Sequence, residues 1–153
     1  MANMAQLVNV IAPIFTNDKG LFLQTIYYPL QLFAMNTKGK ALELFVDSPK
    51  YKSTRFDEVP YIDASAGFDN GTVVLNIVNR HYDQPVDLEF EVTDKQFSGP
   101  VAVSEVNGPD IKSENDFDKT TVKTVERSAT AEGRKLRYRA PAHSYTMLKA
   151  KLV

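Results

Sequence analysis

Thr72 to Val92 reads TVVLNIVNRHYDQPVDLEFEV, and its two halves decide the fold class. The second half, Val86-Asp87-Leu88-Glu89-Phe90-Glu91-Val92, alternates apolar and acidic residues without a break. That is the two-residue period of a strand with one face buried and one face wet. The first half, Thr72 to Val78, is apolar on both faces apart from Asn76, as a strand covered from both sides must be. Between them, Asn79 to Pro85 is rich in turn formers, which predicts that the two strands pair as a hairpin with a longer loop.

Working outward, the same period continues in both directions. Leu42, Leu44 and Val46 alternate with Glu43, Phe45 and Asp47, and Ile62, Ala64, Ala66 and Phe68 alternate again. Pro49 to Glu58 is polar and reads as an exposed loop. Asp69-Asn70-Gly71 turns the chain into the Thr72 strand. Asn70-Gly71-Thr72 also fits the glycosylation acceptor pattern, a short motif that recurs by chance, and the turn is the preferred reading. Further strands are predicted at Pro100–Val106, Thr120–Val125, Lys135–Arg139 and Tyr145–Leu152. Lys112 to Lys119 is a polar, acidic loop with Phe117 as its one large apolar residue. Seven or eight short strands with regular turns and little helix make an antiparallel β-sandwich.

The first forty residues follow a different pattern. Leu7-Val8-Asn9-Val10-Ile11-Ala12-Pro13-Ile14-Phe15 is a near-continuous apolar run, expected to be a fully buried strand of the parallel type. Gly20 to Thr25 is an apolar connection. Tyr27 to Met35 carries Pro29 near its start, then Leu30, Phe33 and Ala34 at helical spacing, so a short helix begins at Pro29 and stops at Asn36-Thr37-Lys38-Gly39-Lys40. Strand, loop and helix form one α/β unit. The domain division is therefore 1–40 and 41–153. Exposed alone, Leu7–Phe15 and Leu21–Phe33 would present apolar surface, which implies docking on the sandwich or self-association, and a dimer or higher oligomer is expected.

The totals exclude several functions. A chain of 153 residues needs no disulfide or metal to build a core. With 43% hydrophobic and 24% charged residues it has the composition of a globular domain. A net charge of -1 and pI ≈ 6.1, with basic residues scattered among acids, argue against nucleic acid or an anionic membrane as partner. Cys is absent, and the two histidines, His81 and His143, stand far apart, so neither a metal nor another cofactor is expected. No segment approaches the roughly 20 apolar residues of a membrane span, and Met1 to Gln6 lacks a basic start, so a cytoplasmic location is expected.

Met1-Ala2-Asn3-Met4-Ala5-Gln6-Leu7-Val8-Asn9-Val10-Ile11-Ala12-Pro13-Ile14, followed by Gln24-Thr25-Ile26-Tyr27-Tyr28-Pro29, resembles the α-L-arabinofuranosidases of glycoside hydrolase family 51. Val46-Asp47-Ser48-Pro49, Val78-Asn79-Arg80-His81 and Pro141-Ala142-His143-Ser144-Tyr145 fit the same family's C-terminal region. The resemblance implies a jelly-roll-like β-sandwich packed against a catalytic (β/α)₈ barrel, with residues 1–40 as the last strand and helix of that barrel. It implies retaining hydrolysis of terminal arabinofuranosides in arabinan or arabinoxylan, by two Glu residues on barrel strands that precede this chain. The catalytic pair is then absent, and the chain alone is expected to be inactive. By the same resemblance Gln6 matches the family's sugar-binding glutamine, Asn9 is a second choice and Gln24 a third.

Two alternatives remain open. A carbohydrate-binding module would need an aligned, exposed pair among Tyr27, Tyr28, Tyr51, Tyr61, Tyr82, Tyr138 and Tyr145, although ordinary packing explains most of them. A free-standing glycosidase would need a different carboxylate pair, for instance one using Asp87, Glu89 or Glu91, but a wet strand face produces the same pattern. His143-Ser144 lacks a nucleophile elbow. Glu114-Asn115-Asp116-Phe117-Asp118 lacks the Gly and terminal Glu of a calcium loop.

Overall fold

A computed structural model of the chain describes residues 3–153. The order is β1 (Ile14–Asn17), β2 (Gly20–Leu23), α1 (Tyr27–Asn36), β3 (Lys40–Leu42), β4 (Lys50–Tyr51), β5 (Val59–Pro60) and β6 (Ile62–Asp69). There follow β7 (Thr72–Asn79), β8 (Val86–Glu91), β9 (Phe97–Asn107), β10 (Lys123–Ala129), β11 (Ala131–Glu132), β12 (Lys135–Ala140) and β13 (Ser144–Leu152). A six-stranded antiparallel sheet runs β10-β9-β13-β7-β6-β3, and a three-stranded sheet runs β11-β12-β8. The two sheets face each other across one core, which makes the expected sandwich.

β7 has the two-sided burial its sequence requires. Val73, Leu75 and Ile77 point into the core between the sheets with Val101, Val103, Leu136 and Leu148. Val74 points the other way, into a second cluster with Leu32 of α1, Val106, Val122 and Met147. The large sheet is thus covered by the small sheet on one face and by the helix on the other. Asn76, the polar exception, is satisfied on the helix side by Thr37 Oγ1 at 2.9 Å and by the Tyr145 hydroxyl at 2.7 Å. Ile77, wholly out of solvent, contributes roughly 1.5–3 kcal/mol by burial.

β6 and β7 close at Asp69↔Thr72 around a two-residue turn. Asn70 and Gly71 both take positive φ, 47° and 75°, the combination that suits the right-handed twist of the flanking strands. The alternative reading of that motif as a sugar acceptor is unnecessary to explain it. β8 alternates as its sequence does, with Val86, Leu88 and Phe90 packed on the core and Asp87, Glu89 and Glu91 exposed.

Four expectations are corrected. β7 and β8 do not pair: β7 lies between β6 and β13, while β8 crosses to the other layer and pairs with β12. The turn formers at 79–85 drive a crossover, because Asn79 ties this segment to Ala140 and Pro141. Leu7–Phe15 is not a buried parallel strand. Leu7, Val10 and Ile11 are exposed, Asn9 and Val10 both have φ 61°, and the sole ladder contact of Val8 is a parallel bridge to Ile14. A parallel strand requires neighbours along its length, and no described residue pairs with 9–13 in a ladder. Gly20–Thr25 is more than a connection, since β2 returns antiparallel along β1. The alternation at 42–46 yields only β3, and Phe45 is 95% exposed. The helix is observed, two residues longer at its start than expected. Among the described residues no helix is long and apolar enough to cross a membrane.

Candidate functional site

Gln6 is exposed, in an irregular segment two residues before the Val8–Ile14 bridge. Asn9 has its side chain committed: Oδ1 accepts from the Thr16 amide at 2.7 Å and Nδ2 donates to Thr16 Oγ1 at 3.2 Å. Its own amide donates to the Ile14 carbonyl at 2.8 Å. Asn9 therefore shapes the loop that carries Gln6. Gln24 is half-buried, and its amide donates to the Pro13 carbonyl at 2.8 Å, closing the base of the β1–β2 hairpin.

The Val78-Asn79-Arg80-His81 and Pro141-Ala142-His143-Ser144 motifs meet in one hydrogen-bonded junction. Asn79 is 1% exposed; its Nδ2 lies 2.8 Å from the Pro141 carbonyl and 3.2 Å from those of Gln84 and Ala140. Its Oδ1 accepts from the His81 amide at 2.9 Å. His143, with φ 41°, donates its amide to the His81 carbonyl at 2.8 Å, and Ser144 Oγ donates to the Pro141 carbonyl at 2.7 Å. Ser144 is buried and engaged, so His143-Ser144 is a turn and not a nucleophile with its base. Arg80 pairs with Asp63 and donates to the Pro60 carbonyl at 3.1 Å.

The outer face of the small sheet carries a shallow depression of ≈ 430 Å³ lined by Asp87, Leu88, Glu89, Arg137, Tyr138 and Arg139. Register sets Asp87 opposite Arg139, Glu89 opposite Arg137 and Glu91 opposite Lys135. Arg139 lies 2.6 Å from Asp87; Lys135 at 2.6 Å and Arg137 at 3.0 Å both hold Glu89. Asp87 and Glu89 share a face two residues apart, roughly 7 Å along the strand. That spacing is within the roughly 6.5–9.5 Å of an inverting carboxylate pair, so protonation decides. A general acid must hold its proton near neutral pH, which requires a raised pKa. Glu89 is pushed the other way, below the usual carboxylate range, by hydrogen bonds from the Lys135 ammonium and the Arg137 guanidinium. Asp87 is clamped by Arg139. This face is a cross-strand charge ladder.

Among the described residues the tyrosine pairs are angled or packed on protein. Tyr51 and Tyr61 lie against each other at 4.8 Å, and Tyr61 stacks on His81 at 4.3 Å, so the ring between them is occupied by protein. Tyr82 is exposed by itself in the adjoining turn. Half-buried Tyr138 donates to Glu105 Oε2 at 2.9 Å and half-buried Tyr145 to Asn76; this partial burial pushes each hydroxyl up to about 12. The acidic loop at 108–121 is held by Asn115, a residue that sequence periodicity gave no reason to single out. Among the described residues no group of three or more His, Cys, Asp or Glu is arranged to hold a metal.

The model of the α-L-arabinofuranosidase C-terminal domain matches residues 1–144. The chain belongs to that family. The probable α-L-arabinofuranosidase C of Aspergillus clavatus is 31% identical over 99% of this chain and 30% of its own length. The intracellular exo-α-(1→5)-L-arabinofuranosidase of Halalkalibacterium halodurans is 38% identical over 65% of this chain and 20% of its own. A family 51 arabinofuranosidase from Xanthomonas axonopodis pv. citri superposes with a TM-score of 0.88, at 26% identity, over 99% of this chain and 31% of that one. The chain spans at most about a third of the length of these relatives. The antiparallel sandwich corresponds to the C-terminal β-sandwich of such enzymes.

Proposed function

We propose that this chain serves as the non-catalytic C-terminal portion of an α-L-arabinofuranosidase, which acts on terminal arabinofuranosides of arabinan or arabinoxylan, and that it is inactive alone. The observation that carries this is coverage: nearly all of the chain falls on 30% of a relative named for the activity, in the domain that bears the family's C-terminal name. The charge ladder supports it, because the best-placed carboxylates here are neutralised by cations and not poised for acid–base work.

In this proposal residues 1–40 complete a (β/α)₈ barrel and residues 41–153 brace it. The apolar side chains of Leu7, Val10, Ile11, Leu21, Phe33 and Met35, all exposed, are the surface the barrel covers. Gln6 contacts the furanose once the barrel completes the pocket; Asn9, with its amide already on Thr16, ranks below it. Without the barrel the same surface joins copies of the chain into a dimer or larger oligomer. The cytoplasm is the proposed compartment, in keeping with the bacterial relative named as intracellular.

The test is to mix the chain with a separately produced family 51 barrel domain and measure co-elution by size exclusion with light scattering. A stable complex that is lost in Phe33→Asp is expected, with self-association of the chain when the barrel is omitted. A clean monomer across micromolar concentrations that ignores the barrel would refute the docking surface.

A further inference from the structure

The N-terminal hairpin is not merely appended to the sandwich; one loop of the sandwich grips it. Asn115, 5% exposed, uses both amide hydrogens: Nδ2 donates to the Val122 carbonyl at 2.7 Å and to the Leu23 carbonyl of β2 at 2.9 Å. Its Oδ1 accepts from the Val122 amide at 2.8 Å. One residue of the polar loop, Asn115, is thereby tied across 92 positions of sequence to the hairpin. Beside it, Phe117 sets its ring edge-on to Phe22 at 4.8 Å, and Phe22 stacks on Phe15 across the hairpin at 5.1 Å. Phe117 is 44% exposed, and its ring meets the hairpin through Phe22.

From the hairpin the contacts run on as far as Val8. Ile14, next to Phe15, accepts from the Asn9 amide and bridges to Val8, and Thr16 is held at both its amide and hydroxyl by Asn9. Gln6 lies two residues further along. The rings and Asn115 tie the loop to the hairpin, exposed hydrogen bonds from Asn9 tie the hairpin to the segment before it, and two residues of backbone join that segment to exposed Gln6.

We propose that the 108–121 loop is a clasp, with Asn115 as a positioning residue, through which the β-sandwich fixes the β1–β2 hairpin and with it the placement of the sugar-facing Gln6 segment. The link to sugar rests on the reading of Gln6 given above; the clasp itself does not. A sandwich working in this way sets the geometry of the active-site rim in addition to bracing the barrel.

Amide hydrogen exchange by NMR on the full chain tests the clasp. Asn115→Ala is expected to speed exchange at Thr16, Gln24 and Val122 at least roughly tenfold, the scale for loss of a buried hydrogen-bonding partner, while Leu75 and Leu148 stay as slow as in the parent. Phe117→Ala, at a partly exposed position, leaves the Asn115 amide in place. It should release Thr16 and Gln24 while Val122 stays protected, a split that general destabilisation cannot produce. The clasp is overturned if Thr16 and Gln24 keep their parent rates in both variants, or if every amide, β7 and β13 included, accelerates together in Phe117→Ala. Should Asn115→Ala fail to fold, the Phe117→Ala pattern decides alone. Sugar takes no part in this experiment, so its failure leaves Gln6 untouched. Conversely, if Gln6→Ala leaves sugar affinity unchanged in the complex with the barrel, the clasp survives and only its link to substrate falls.

Discussion

Replacing Asn79 by Ala tests whether the crossover between the two sheets is held by one side chain. An amide carries two N–H donors, and three carbonyls surround Asn79 Nδ2, so one hydrogen is shared. The Gln84 carbonyl belongs to an exposed residue and regains a bond from water after truncation. The carbonyl of wholly buried Ala140 does not, that of half-buried Pro141 keeps only its bond from Ser144 Oγ, and the His81 amide loses its acceptor. Leaving a buried group unsatisfied costs about 1–3 kcal/mol, and the vacated volume adds to it. The expected loss is about 3 kcal/mol, which for a domain of this size lowers Tm by roughly 6–12 °C. Asn79→Asp should be worse despite its equal size, because a second oxygen then faces three carbonyls. Urea unfolding followed by far-UV circular dichroism gives the number, with the slope checked for constancy. A loss below about 1 kcal/mol for Asn79→Ala would show that the junction is carried by the surrounding packing, and the polar explanation of the crossover would fail.

Other expectations follow from single positions. Gly39 joins α1 to β3 at φ 76°, and a methyl there would press on the Phe68 carbonyl and reach 2.8 Å from Asp69 Cβ; Gly39→Ala should cost roughly 2–4 kcal/mol in urea unfolding, left-handed strain and overpacking together. Tyr138 and Tyr145, neutral by burial up to about 12, make stability fall as pH rises from about 10 toward 12, since the unfolded chain ionises first. Tyrosinate absorbance should therefore show a late increment that shrinks in Tyr145→Phe; an unchanged late increment would contradict the burial. Glu89 is shifted in the opposite sense, so the ladder's contribution is present above the ordinary carboxylate pKa and fades as pH falls through the lowered one. In Glu89→Gln the acid limb of Tm against pH should be shallower than in the parent, and a parallel limb would show the ladder to be inert.

Sequence was most informative where a local period maps directly onto a face. The V-D-L-E-F-E-V alternation became β8 with its acids outward, and the apolar T-V-V-L-N-I-V run became a strand covered on both sides. Asn70-Gly71 named its own turn because only a positive-φ pair fits there. The ladder was also partly visible: K-x-R-x-R in β12 complements D-x-E-x-E in β8 residue for residue, once the strands are known to pair. What a period cannot specify is the partner. Turn formers at 79–85 fit a hairpin and a crossover equally, and the choice fell to Asn79, whose acceptors lie about sixty residues away. Leu7–Phe15 misled for the same reason, since an apolar run states that it seeks cover without saying what supplies it. Asn115 could not be seen at all, being one polar residue in a polar loop whose buried partner lies at the far end of the chain.

The central claim is that this chain holds no working pair of acids. Incubation of the purified chain with a chromogenic α-L-arabinofuranoside measures that directly. Release no faster than in buffer is the expected result, unaltered by Asp87→Asn or Glu89→Gln. Turnover that persists through purification and vanishes when a single acidic residue is replaced would contradict it.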